Sequence, residues 1–202
     1  MNSQKRIFTP LIFSLIFLIT AFSISGQPQQ AGPSYEATLH VLAASSQGSP
    51  GTEIPQSLSA VSRQLRGDFG ASSLRLINTY FGRMSNQGSL EQKGLSNAYT
   101  PDPQPGSPSF LDWNLVGLSP SPGGTGQDVY QFHSFRFGAR VPVRVGVSQD
   151  EKSPVPINYE SIGLSLTRLS VRDGVPTLLG TLTQPKTDAT LFLVLTVKII
   201  DK

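Results

Sequence analysis

Cysteine is absent from all 202 residues. That excludes disulfides, iron–sulfur clusters, a thiol nucleophile and a lipidated cysteine. Charge is sparse: Asp, Glu, Lys and Arg make up 14% of the chain, against about 25% in an ordinary soluble domain. No run of Lys or Arg of the kind that follows a phosphate backbone occurs, so no nucleic-acid partner is expected. Histidine occurs twice and tryptophan once. Long apolar runs are missing outside the N-terminus. Glycine (19 residues) and proline (16 residues) are instead abundant, and the 38% hydrophobic content is broken into short pieces. This composition argues against a helical bundle or coiled coil and favours a turn-rich, β-dominant chain.

Residues 1–26 read as a secretory signal peptide. Lys5 and Arg6 form a basic start, Ile7 to Ile24 is uncharged and rich in Leu, Ile and Phe, and Ser23, Ser25 and Gly26 offer small residues for cleavage. Cleavage after Ser25 or Gly26 starts the mature chain near Gln27. The alternative is a retained anchor, for which this run is near the minimum length. With Lys5 and Arg6 gone, the 16 basic residues fall to 14 against 13 acidic ones, so the mature chain is almost neutral. An exported protein without cysteine fits a bacterial envelope, in the periplasm or at the outer membrane, with membrane contact only through residues 1–26 if they stay attached.

Along the rest of the chain, 27–34 is a flexible lead-in. Ala37, Leu39, Val41 and Ala43 then alternate with Glu36, Thr38, His40 and Leu42, which predicts a strand. Ile54, Leu58, Val61 and Leu65 make one helical stripe over 54–69, with Thr52 as a cap, Pro55 in the first turn, and Gly67 and Gly70 at the end. Such a stripe packs most simply on a sheet. Ser72 to Arg83 and, more weakly, Ser89 to Ser96 read as strands. Prolines at 101, 103, 105 and 108 mark 100–109 as an exposed loop. Further strands are expected over 110–118, 129–137, 140–147, 157–169, 175–183 and 190–200. The last, TLFLVLTVKII, is apolar on both faces over part of its length, as a central strand would be. The expected fold is therefore α+β with β dominant: a strand–helix–strand subdomain (35–99), a Pro-rich loop (100–109) and an antiparallel β subdomain (110–202), sandwich-like overall.

Chemistry-bearing constellations are few. His40 and His133 lie 93 positions apart, without the spacing of a metal site, so no metal or cofactor is expected. Asp150 and Glu151 are neighbours in a loop tip. Asp112 and Asp128 form a paired carboxylate only if the fold joins them. Ser73 and Ser134 sit in no nucleophile motif. The Gly-Gly-Thr-Gly stretch at 123–126 lacks the lysine and helix of a phosphate loop and reads as a turn. No catalytic residue is assigned. The aromatics Trp113, Tyr130, Phe132, Phe135 and Phe137 are the candidate interaction surface. Strict alternation puts Phe135 and Phe137 on one face with His133, and Tyr130 and Phe132 on the other, so one face would pack and one would meet a partner.

Four C-terminal segments carry a family pattern. Gly138, Val141 and Pro142 form a G-x-x-V-P strand. Tyr159, Ile162, Gly163 and Leu166 form a Y-x-x-I-G-x-x-L strand. A Leu/Gly segment follows at 173–182. Leu193, Leu195, Thr196 and Ile199 lie in the last strand, with Val197 where the family has proline. In this order they resemble the core of the bacterial secretins. The segments between the matched strands are shorter than in a pore-forming secretin, so the resemblance implies a non-pore relative. It implies envelope partners, such as secretin or pilus components. The expected function is a non-catalytic accessory or assembly component working through protein–protein contacts. The alternative is a ligand-binding β-sandwich for carbohydrate or peptide.

Overall fold

The apolar alternation expected from Ala37 to Ala43 becomes a strand with its odd-numbered face turned inward. The computed structural model describes residues 32–44, 53–71, 73–99, 107–121, 128–146, 155–185 and 189–201. The expected signal peptide (1–26), the expected cap at Thr52, the expected turn at 123–126 and the Asp150–Glu151 pair lie outside the described residues. Strand β1 (Ser34–Ala44) turns Tyr35, Ala37, Leu39, Val41 and Ala43 into the core. It pairs antiparallel with β2 (Leu74–Ser85) on one side and β9 (Thr190–Asp201) on the other, and β8 (Thr177–Thr183) completes the sheet beyond β9. The central place expected for the last strand is found: residues 191–195 and Val197 are fully buried.

The second sheet is built on β6 (Val129–Arg144). Strand β4 (Ser109–Val116) and the short β5 (Ser119–Ser121) follow one another along one side of β6. Strand β3 (Ser89–Ser96) pairs with β4, and β7 (Ile157–Arg172) covers the other side of β6. Leu111, Trp113, Leu115, Phe135, Phe137 and Val141 meet the β1 and β9 side chains between the two sheets. Each such fully buried large side chain stabilises the fold by about 1.5–3 kcal/mol. Gln92 ties the sheets at one margin, accepting from the Trp113 Nε1–H at 3.0 Å and donating to the Phe81 carbonyl at 2.6 Å. Asp173 ties them at the other, accepting from Tyr130 Oη at 2.8 Å and from the Ile199 amide at 3.1 Å.

The helix lies where its stripe requires. A 3-10 turn (Gln56–Leu58) after Pro55 leads into α1 (Ser59–Phe69). Leu58, Val61 and Leu65 pack on Leu42, Phe192 and Val194, the outer face of the first sheet. Gly70 ends the helix in the left-handed conformation, φ 61°, which glycine adopts without steric cost. The β-dominant α+β reading is thus confirmed as helix, sheet and sheet in layers.

Three expectations need correction. The loop at 100–109 does not divide two bodies: β1 from the front half sits between β2 and β9, β3 pairs with β4, and 32–202 form one unit. Residues 129–137 and 140–147 do not form two strands. Gly138 lies inside one strand of 16 residues, directly opposite Gly163. Two bare glycines side by side let the strands run on at a place that reads as a break.

The third correction is one of phase. Inward positions on β4 and its continuation run 111, 113, 115 and then 118; on β6 they run 130, 132 and then 135, 137; on β7 they run 162, 164, 166 and then 169, 171. All three switch parity at one row, through Gly117, His133 and Arg168. Gly117 (φ 73°) and Arg168 (φ 56°) are left-handed there. A left-handed residue rotates the strand, and because neighbouring strands turn together, their pairing keeps the same register on both sides of the row.

Candidate functional site

The phase switch decides the fate of the aromatic residues. Trp113, Tyr130, Phe132, Phe135 and Phe137 are all at most 2% exposed. Tyr130 and Phe132 lie before the switch and Phe135 and Phe137 after it, so both pairs face inward and none of the five forms a surface. Tyr35 meets Tyr130 edge-on at 5.2 Å, and Trp113 lies 6.5 Å from Phe135. Burial, joined by the Asp173 carboxylate, holds the Tyr130 phenol well above its ordinary range.

The other sequence candidates are dispersed. His40 stands on the outer face of the first sheet, 3.0 Å from Thr79 Oγ1, and partial burial lowers its pKa. His133 sits in the phase-switch row beside Gly117. Asp112 pairs across from Gly138, while Asp128 precedes Val129 at the far end of β6. Nine strand positions separate Gly138 from Val129, about 30 Å at 3.3 Å per residue. That is far beyond the separation of a glycosidase pair. Ser134 lies on the outer face of the second sheet and Ser73 just before β2. Among the described residues no group of three metal-ligating side chains occurs.

Among the described elements, the outer face of the second sheet and its β7 edge are open, as are the edges of β2, β3 and β8. No described element packs on that face. Its cross-strand rows are Leu95–Phe110–Arg140–Ser161, Lys93–Asp112–Gly138–Gly163 and Glu91–Asn114–Arg136–Ser165. Arg136, Arg140 and Arg144 recur every fourth residue on β6, all exposed on one side. Arg172 extends the cationic character along β7. Lys93 is paired with Glu91 at 2.7 Å. Between the rows lies a trough of about 330 Å³ floored by Gly138 and Gly163. A second hollow, about 370 Å³, opens at the phase switch beside His133, Arg168 and Gln131.

Composition and a search for basic runs missed this face. The usable signal was the spacing in FRFGARVPVR, where every fourth residue is Arg; on a strand that puts all three on one side.

The β7 edge is equally plain. Among the described residues β7 pairs with β6 alone, and residues 157–161 are all exposed. Ile157 (40% exposed) and Tyr159 (37%) present apolar surface there. Two of the four secretin-like segments pair here, Gly138 facing Gly163 and Pro142 facing Tyr159, while the other two lie on β8 and β9 of the first sheet.

No protein-family model and no curated protein sequence matches the chain. Among solved structures it has a weak resemblance to InvG, the secretin of the Salmonella SPI-1 type III secretion injectisome. The TM-score is 0.34 at 8% identity, over 97% of this chain and 71% of that one. An atomic model of the Salmonella SPI-1 injectisome basal body proteins InvG, PrgH and PrgK gives the same 0.34 and 8%, over 97% of this chain and 50% of that one.

Proposed function

We propose that the protein is an exported, non-catalytic component of a bacterial cell envelope. It acts by protein–protein contact as an accessory or assembly part of a secretin- or pilus-like system. The observation that carries this reading is the free edge of β7. A 16-residue strand with a partner on one side only among the described strands is a template for another strand. The burial of Trp113 and Tyr130 supports the same choice, because it removes the aromatic platform on which the ligand-binding alternative rested. The basic and apolar composition of residues 1–26 supports export.

Proline scanning at the edge tests it. Along an edge strand, alternate N–H groups point to the neighbouring strand and to the open side. Glu160→Pro and Ser161→Pro therefore differ: one removes a bond of the β6–β7 ladder and the other removes only an open-side donor. The test cross-links the tagged protein in native envelopes and identifies the products by mass spectrometry. The variant that keeps its melting temperature is expected to lose cross-links to secretin or pilus subunits that the parent chain makes. If the parent makes no such cross-links, or both variants keep them, edge pairing is wrong.

A further inference from the structure

The trough on the outer face of the second sheet has the make-up of a ligand site that the edge-pairing reading does not use. Its floor is backbone, at Gly138 and Gly163. Gly163 admits no side chain, and a side chain at Gly138 would have to push the Asp112 carboxylate aside. A Cβ on Gly163 would stand 2.8 Å from the Phe137 carbonyl oxygen, and one on Gly138 would stand 2.9 Å from Asp112 Oδ1. The lips are cationic. Arg136 and Arg140 flank the glycine row on β6, about 13 Å apart along the strand at 3.3 Å per residue, and no described carboxylate forms an ion pair with either. Arg140 is held in place, its guanidinium 5.0 Å above the Phe110 ring, which itself packs on Tyr159 at 5.5 Å. Ser161 and Ser165 flank the row on β7, and the Asp112 carboxylate lies over Gly138. The volume of about 330 Å³ lies within the range of small-ligand sites.

We infer that this trough binds an acidic polysaccharide, one or two uronate-type sugar rings at a time. The carboxylate would lie between Arg136 and Arg140, and the hydroxyls would bond to Asp112, Ser161 and Ser165. Three observations select this occupant. Two arginines with no carboxylate partner among the described residues call for an anion, and guanidinium forks match a carboxylate. The carboxylate of Asp112 among them disfavours a purely anionic ligand such as polyphosphate but accepts from hydroxyls, so the ligand carries both groups. A concave floor between protruding side chains suits a narrow chain better than the plane of a bilayer, and backbone groups already committed to the β4–β6–β7 ladders leave an extended peptide nothing to pair with. Arg144, the next exposed arginine on the strand, extends the cationic line beyond the first ring.

The test is calorimetric titration of the full chain with oligogalacturonate at low salt. Neutral dextran, polyglutamate and vesicles containing anionic phospholipid serve as comparison ligands. Oligogalacturonate is expected to bind saturably and to weaken with salt, and dextran not to bind. Arg136→Gln is expected to lower affinity at least fivefold. Arg172→Gln makes the same charge change about 23 Å along β7 from the Arg136 row at 3.3 Å per residue and is expected to lower it less than twofold. Ser161→Leu fills the trough without changing charge, and is expected to abolish binding while the melting temperature holds. No binding of oligogalacturonate, or equal losses in Arg136→Gln and Arg172→Gln, would overturn the site. Tighter binding of polyglutamate or of anionic vesicles would overturn the polysaccharide and assign the face to an acidic peptide or to a membrane.

Discussion

Replacing Tyr130 by Phe isolates one latch between the sheets. The hydroxyl donates to Asp173 Oδ1 at 2.8 Å, and the same oxygen accepts the Ile199 amide at 3.1 Å. Asp173 lies in the turn between β7 and β8, so this carboxylate joins the second sheet, through Tyr130 on β6, to β9 of the first. The Gly174 amide reinforces the joint by donating to the Val197 carbonyl at 2.8 Å. Phe keeps the ring, its burial and its edge contact with Tyr35, so the hydrophobic contribution is unchanged and only the hydrogen bond is removed. A hydrogen bond to a charged group is worth about 1.5–3 kcal/mol. Asp173 is half-exposed and can recruit water in place of the phenol, which puts the expected loss near the lower end, about 1.5 kcal/mol. For a domain of this size that lowers the melting temperature by roughly 3–6 °C. Asp173→Asn should cost more, because Ile199 also loses its charged acceptor. The double variant should be less destabilised than the two single losses together, since both remove the same bond. Circular-dichroism melts and urea titrations of the four proteins measure this. A Tyr130→Phe shift below 1 °C with additive losses would refute the latch.

Three further outcomes follow from the same structure. Tyr35, Tyr80, Tyr99 and Tyr130 all have phenol pKa values raised, in each case chiefly by burial; the folded state then holds protons that the unfolded state releases above about pH 10, so stability should fall as pH climbs beyond that point, and more gently in Tyr80→Phe. His40 is shifted the other way by burial; the unfolded state takes up its proton first, so stability should fall as pH drops below about 6.5, and His40→Gln should flatten that limb in melts from pH 7.5 to 5. Gly163→Ala, pressed against the Phe137 carbonyl at 2.8 Å, should destabilise by about 1–3 kcal/mol, whereas Gly94→Ala on β3, with open space around it, should be stabilising by about 0.4–1 kcal/mol; urea midpoints compare the pair.

Legibility in the sequence tracked how local each signal was. The stripe of Leu58, Val61 and Leu65 located the helix and the layer it covers, and the doubly apolar TLFLVLTVKII located the central strand. Both are complete within one window. Gly138 misled because its role depends on Gly163, 25 positions away. The bare face escaped notice because its arginines form no run; they become one stripe only once β6 is a single strand. The aromatic candidates failed for a sharper reason. Period-two reasoning was sound on each side of His133 and wrong across it, and the cause was partly in Arg168, a residue of another strand.

That row explains how one strand can be both the core of the sandwich and the base of a site. Had β6 kept strict alternation through 16 residues, Tyr130 and Phe132 would have stood on the outer face, and the sandwich would have lost two of its largest inward side chains. The left-handed Arg168 costs about 1–3 kcal/mol, and Gly117 supplies the same turn at no such cost, where a Cβ would stand 3.0 Å from that of His133. Moving two aromatic side chains inward returns about 1.5–3 kcal/mol each, so the switch is favourable on balance. It also frees the outer face of aromatics beyond the row, so that arginine, serine and glycine set its character. The strain at Arg168 gives this account a direct check. Arg168→Gly should hold or raise the melting temperature, because glycine adopts φ 56° freely. Arg168→Val, whose branched Cβ disfavours that conformation, should lower it. Equal effects of the two would mean that the row is not held by backbone conformation.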